Sequence, residues 1–123
     1  MQRTILIVED EIAQSQILQE FFNKKGFLTL EAENGIDGLQ KSLETHPDVI
    51  VLDVRMPKMN GIEMMKKLRE DSWGKNVPII ILSNYDVADN DIARIIYDKP
   101  AFYLVKSNSS LEEVLEKIEE VLS

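Results

Sequence analysis

Val49-Ile50-Val51-Leu52 is a run of four apolar residues, three of them β-branched, that ends abruptly at Asp53. It is apolar at every position rather than every second one, which is how a strand covered on both faces of a parallel sheet reads. Four further runs of the same kind lie before and after it, at residues 5–8, 27–30, 77–82 and 101–105. Between the runs, apolar residues recur at spacings of three and four. Ala13, Ile17, Leu18, Phe21 and Phe22 mark a first helix that stops at Gly26, and Ile36, Leu39 and Leu43 a second that ends near His46-Pro47. Ile62, Met65 and Leu68 mark a third after Gly61, and Ala88, Ile92, Ile95 and Ile96 a fourth. The fifth is the clearest. Leu111, Val114, Leu115, Ile118, Val121 and Leu122 form one stripe, with five glutamates between 112 and 120 largely off it.

Five strands alternating with five helices specify an α/β domain of (βα)5 type, a doubly wound five-stranded parallel sheet with helices on both faces. Right-handed crossovers restrict the topology, and the flavodoxin-like strand order 2-1-3-4-5 is the common solution. Neither a repeat nor a low-complexity tract interrupts the alternation, so residues 1–123 read as a single domain.

The chain carries 22 acidic and 14 basic residues, a formal net charge of −8. That balance argues against direct nucleic-acid binding, which requires clustered Lys and Arg to displace counterions. Cysteine is absent and His46 is the only histidine, so thiolate chemistry and a His-rich metal site are excluded. A side-chain metal site would rely mainly on oxygen ligands. The first apolar run is only four residues long before Glu9-Asp10-Glu11, too short for a signal peptide or a membrane span. A cytoplasmic protein without a membrane partner is expected.

In a sheet of this order, ligands bind outside the carboxyl ends of the strands, at the switch point between strands 1 and 3. The strand-end residues there are Glu9-Asp10 and Asp53, with Ser83 ending strand 4 and Lys106 ending strand 5. Three adjacent carboxylates raise one another's pKa unless a cation joins them, and hard oxygen ligands without imidazole or sulfur favour Mg2+. An aspartate beside Mg2+ can attack phosphorus and carry the phosphoryl group as an acyl phosphate. An ammonium and a hydroxyl nearby, here Lys106 and Ser83, would stabilise the transferred charge.

These residues resemble the receiver domain of two-component response regulators, the CheY-like family. The markers are Val8-Glu9-Asp10-Glu11, the block from Leu52-Asp53 through Met56-Pro57 to Asn60-Gly61, Leu82-Ser83, and Tyr103-Leu104-Val105-Lys106. The resemblance implies that Asp53 is the phosphoacceptor. It implies that Asp10 and Asp53 bind Mg2+ with the Arg55 backbone carbonyl, and that Glu9 does so directly or through water. Ser83 would hydrogen-bond the phosphoryl group, Lys106 would pair with it, and Tyr103 would be the aromatic that rotates inward on activation. The implied partners are a histidine kinase or phosphotransfer protein and an output protein or domain that the residues do not name, with a phosphorylation-dependent dimer allowed. The switching face would comprise the fourth helix, fifth strand and fifth helix, including Arg94, Tyr97, Lys99 and Tyr103.

The chain departs from the family in three places. Ser107 stands where proline usually follows the lysine, so a trans bond with a shifted loop or a strained cis bond is expected. Asn84 follows Ser83 where a small residue is usual, and with Arg55 and Tyr85 it is expected to control water at the phosphoryl group. Asp98-Lys99-Pro100-Ala101 replaces a Gly-Ala turn. Three competing functions remain open at this point. An aspartate phosphohydrolase would need a D-x-D motif that Asp53-Val54-Arg55 lacks, a flavin carrier would bring its phosphate against three carboxylates, and a pseudo-receiver would bind partners without being phosphorylated.

Overall fold

The computed structural model describes residues 2–84 and 89–123, with side chains from residue 93 onward in the second segment. Strands β1 (Thr4–Val8), β2 (Leu28–Ala32), β3 (Val49–Leu52), β4 (Ile79–Ser83) and β5 (Phe102–Val105) alternate with helices α1 (Ile12–Lys24), α2 (Gly35–Thr45), α3 (Gly61–Arg69), α4 (Asp89–Asp98) and α5 (Leu111–Leu122). The sheet is parallel throughout, in the order β2-β1-β3-β4-β5.

Alternation of side chains along the central strands divides the core into two layers. Leu6, Val8, Ile50, Leu52, Ile79 and Ile81 face one layer with Ile62, Met65 and Leu68 of α3 and Ile95 of α4. Ile5, Ile7, Val49, Val51, Ile80 and Leu82 face the other with Leu18 and Phe22 of α1 and Val114 and Ile118 of α5. Both faces are thus covered, as the continuous apolar runs require. The edge strands are the exception, because each has a neighbour on one side only. Leu28 of β2 and Val105 of β5 are exposed.

Helix periodicity identified the inward faces of α3 and α5 and, through Leu18 and Phe22, part of that of α1, but not that of α2. In α1 the buried residues are Ser15, Leu18 and Phe22, while Ile17 is 55% exposed. In α2 they are Gly35, Gly38 and Ser42, while Ile36 and Leu43 are exposed. The reason is space. A Cβ on Gly38 would lie 2.9 Å from both Met64 Sδ and Val8 Cγ1, so α2 packs on β1 and α3 through small residues. In α4, Ile95 is buried and Ile96 is exposed, and the expected contributions of Ala88 and of the Ile92 side chain lie outside the described residues.

Side chains cap the starts of α2, α3 and α5. Asn34 accepts from Asp37 N–H, and Asn60 and Ser110 form reciprocal capping boxes with Glu63 and Glu113. Each such cap stabilises its helix by about 1 kcal/mol. At the end of α2, His46 caps the helix in a left-handed conformation (φ 49°) and stacks on Trp73 with ring centroids 4.2 Å apart. The turn that lacks glycine after α4 is closed by Lys99, also left-handed (φ 52°), whose N–H donates to the Ile95 carbonyl. Arg69 braces this turn by donating to the carbonyls of Asp98, Lys99, Gly74 and Val77.

Candidate functional site

Strand register places the polar residues. Val8 pairs with Leu52, so β1 and β3 end side by side, and Asp53 N–H continues the ladder by donating to the Val8 carbonyl at 3.0 Å. Ser83 pairs with Val105, which brings Lys106 to the same edge. The chain turns at once after each strand, so Glu9, Asp10, Asp53, Ser83 and Lys106 converge at the carboxyl ends of the strands.

One carboxylate oxygen from each of Glu9, Asp10 and Asp53 lies within 4.8 Å of the others. Glu9 is buried, Asp53 is half-buried and Asp10 is exposed. Ser83 Oγ donates to Asp53 Oδ1 at 2.7 Å, and the Arg55 N–H donates to the same oxygen at 3.3 Å. Lys106 Nζ donates to Asp53 Oδ2 at 3.3 Å, to Glu9 Oε1 at 2.6 Å and to Gln14 Oε1 at 2.7 Å. Its three hydrogens therefore have three acceptors. The cleft above these groups has a volume of about 240 Å3 and is lined by Asp10, Glu11, Gln14, Asp53, Arg55, Ser83, Asn84 and Lys106.

The electrostatics follow from burial and from two acids, Glu9 and Asp53, sharing one base, Lys106. Burial, and then the neighbouring Asp53, push the Glu9 carboxyl up to about 7, although Lys106 opposes the shift. Burial would also raise Asp53, but hydrogen bonds from Glu9 and Ser83 and the charge of Lys106 hold it below the ordinary carboxylate value. Burial works to lower the Lys106 ammonium, but the two carboxylates outweigh it and raise the group. Burial is the main cause of the Glu9 shift, and the neighbouring carboxylate of Asp53 adds to it. Three convergent carboxylate oxygens fit a hard divalent cation.

Every strand-end residue singled out in the sequence is in this cluster. The backbone carbonyl of Arg55 belongs to the loop leaving Asp53, anchored on either side by buried Val54 and Met56. Tyr103 sits on β5, half-buried, and packs against the layer that contains α3 and α4. Gln14 was not singled out. Its signal was its place in the first turn of α1, four residues after Asp10, on the side that faces the cleft. The Lys106-Ser107 bond is trans, since no cis peptide occurs among the described residues, and Lys106–Asn108 forms a short 3-10 turn. Asn84 is exposed and lines the cleft; Tyr85 lies outside the described residues.

The sequence profile described as the response regulator receiver domain matches residues 5–119. The chain belongs to this family. Among curated relatives, the receiver domain is 36% identical over 89 residues to sporulation initiation phosphotransferase F of Bacillus subtilis, covering 72% of this chain and 70% of that protein. It is 27% identical over 85 residues to the polar-differentiation response regulator DivK of Brucella ovis, covering 69% of each. Among solved structures it resembles chemotaxis protein CheY4 of Vibrio cholerae with a TM-score of 0.87 and 27% identity, over 98% of this chain and 99% of that one. The receiver domain of Francisella response regulator 1452 gives 0.85 and 29%, over 97% and 95%.

Receiver domains are signalling modules of two-component phosphorelays rather than metabolic enzymes, and their partners are histidine kinases or phosphotransfer proteins. They bind Mg2+ at an acidic pocket, and the acidic cluster of this receiver domain is Glu9, Asp10 and Asp53. No helix among the described residues is long and apolar enough to cross a membrane.

Proposed function

We propose that this receiver domain accepts a phosphoryl group on Asp53 in a Mg2+-dependent reaction and passes the change to the face formed by α4, β5 and α5. The observation that carries the reading is the setting of Asp53. Its two carboxylate oxygens are met by the Ser83 hydroxyl and the Lys106 ammonium, with Glu9 and Asp10 alongside. An Asp53 oxygen attacks phosphorus, the bond to the donor's imidazole breaks, and the imidazole leaves with its electron pair. Asp10, Asp53 and Glu9, with the Arg55 carbonyl, would hold Mg2+, which when bound neutralises the charge of the transferred group. Lys106 pairs with a phosphoryl oxygen, and Ser83 donates its hydroxyl to another. Hydrolysis by water returns Asp53 to the carboxylate.

Phosphorylation replaces a charge of −1 by one near −2 and adds acceptor oxygens, which draws Ser83 and Lys106 inward. These groups end β4 and β5, so their shift bears on α4, on Tyr103 and on the exposed Tyr97 and Lys99. The test is intact mass after incubation with acetyl phosphate and Mg2+. One added phosphoryl group in the wild type and none in Asp53→Asn is the expected result. No addition to either protein overturns the reading in favour of a binding module that is never phosphorylated. For the switch, a phosphoryl mimic that left the chemical shifts of residues 84–110 unchanged would overturn it.

A further inference from the structure

Asn84 is exposed, yet its side chain is committed. Its Oδ1 accepts the backbone N–H of Ser107 at 2.8 Å. Ser107 follows Lys106 directly and is the middle residue of the 3-10 turn Lys106–Asn108. Strands β4 and β5 pair as far as Ser83 and Val105. The Asn84 bond extends that pairing past the end of the sheet, through a side chain, at the point where both strands turn away. It ties the segment that carries Ser83 to the segment that carries Lys106.

A long lysine side chain reaches a fixed point only if its backbone is held. The Lys106 ammonium contacts Glu9 and Gln14 at 2.6 and 2.7 Å but Asp53 only at 3.3 Å. The contact with Asp53 is the longest of the three, so a small displacement of the turn breaks it first. No side chain of Ser107 or Asn108 is hydrogen-bonded into the cleft among the described residues, which leaves the Ser107 N–H as the handle on the turn.

We infer that Asn84 is a positioning residue for Lys106, holding the turn through the Ser107 N–H so that the reach of Lys106 to Asp53 depends on where the Ser83-Asn84 segment stands. This rests on the reading that Lys106 acts on a phosphoryl group at Asp53. A displacement of Ser83 toward Asp53 is then transmitted to Lys106 through one hydrogen bond, and the two groups move together. Asn84 acts on the phosphoryl group through Lys106 and not by restricting water.

The test compares Asn84→Ala, which removes the acceptor, Ser107→Pro, which removes the donor, and the double variant. Phosphorylation from acetyl phosphate with Mg2+ is measured alongside amide exchange at Ser107 and the 15N signal of the Lys106 ammonium. Asn84→Ala is expected to expose the Ser107 amide to exchange, broaden the Lys106 signal and slow phosphorylation by roughly threefold to tenfold, the net worth of one hydrogen bond. In the Ser107→Pro background it should have no further effect. An equal slowing in both backgrounds would mean that Asn84 acts directly in the cleft and would overturn the inference. So would a Ser107 amide that exchanges in the wild type as fast as in Asn84→Ala, a result that stands even if Ser107→Pro fails to fold. The exchange and ammonium signals require no phosphorylation. A protected amide and an ordered ammonium, both lost in Asn84→Ala, would support positioning even if the wild type took up no phosphoryl group, a failure that would count against the phosphoacceptor reading alone.

Discussion

Gln14 and Lys106, 92 positions apart in sequence, meet in a 2.7 Å hydrogen bond from the ammonium to Gln14 Oε1. The same side chain donates from Nε2 to Glu11 Oε2 at 3.0 Å, so the first turn of α1 is braced against the end of β5. A neutral amide suits this position. It accepts a hydrogen without adding another negative charge to a cleft already crowded with carboxylates.

Gln14→Ala is therefore expected to slow phosphorylation of Asp53 by roughly threefold to tenfold, the net worth of one hydrogen bond, with little change in thermal midpoint. Mass spectrometry over a time course with acetyl phosphate measures the rate. An unchanged rate would show that Glu9 and Asp53 suffice to hold Lys106.

Mg2+ binding should depend on pH through Glu9. Its carboxyl titrates at about 7 in the metal-free protein, so below that pH a cation must displace a proton. Affinity then rises with pH, by about tenfold between pH 6 and pH 8. The linkage to folding has the opposite sign. The folded state binds this proton more tightly than the unfolded state, so the contribution is full below the ordinary value of 4.5 and is lost as pH rises through about 7. Calorimetry with Mg2+ and urea unfolding without it, each across this range, would both lose their Glu9 dependence in Glu9→Gln.

Gly61 sets the path of the loop that leaves Asp53. A Cβ there would strike the Asp53 carbonyl and lie 2.9 Å from the Val54 Cα, both of them backbone atoms that cannot turn aside. Gly61→Ala should destabilise the fold by about 2 kcal/mol and reduce phosphorylation, because relief of the clash moves Asp53. Urea midpoints and phosphorylation rates for the variant test both effects.

Lys99 occupies the left-handed region at φ 52°, where a Cβ is unfavourable. Lys99→Gly should stabilise the domain by about 0.5 kcal/mol, since glycine relieves that strain but loses more chain entropy on folding. The carbonyl that accepts from Arg69 is retained in the variant. A lower thermal midpoint would show that the lysine side chain contributes more to the turn than its backbone strain costs.

The central strands were legible because β1, β3 and β4 are buried on both faces and so are apolar at nearly every residue. The ends of β2 and β5 were less so, since an edge strand with exposed Leu28 or Val105 carries a weaker pattern. In α2 the periodicity of Ile36 and Leu43 pointed to the wrong face. The space against Val8 and Met64 admits only small residues, and a hydrophobic pattern does not record how much room a neighbour leaves. Asp53, Glu9, Asp10, Ser83 and Lys106 were legible as acids, a hydroxyl and an ammonium placed where strands end. Gln14 was not, and Asn84 was singled out only for a role at water, because an amide on a surface helix or loop carries no sign of the partner it meets.

The sequence by itself determined the alternation of strands and helices, the two-sided core and the set of groups at the strand ends, because burial and local periodicity act within a few residues. Only the tertiary structure decided which acid Lys106 binds most closely, that Glu9 is buried deeply enough to take up a proton near neutrality, and that Asn84 holds the turn beside Lys106. Those outcomes depend on strand register and on distances between residues far apart in the chain, and a shift of one ångström in either would change them.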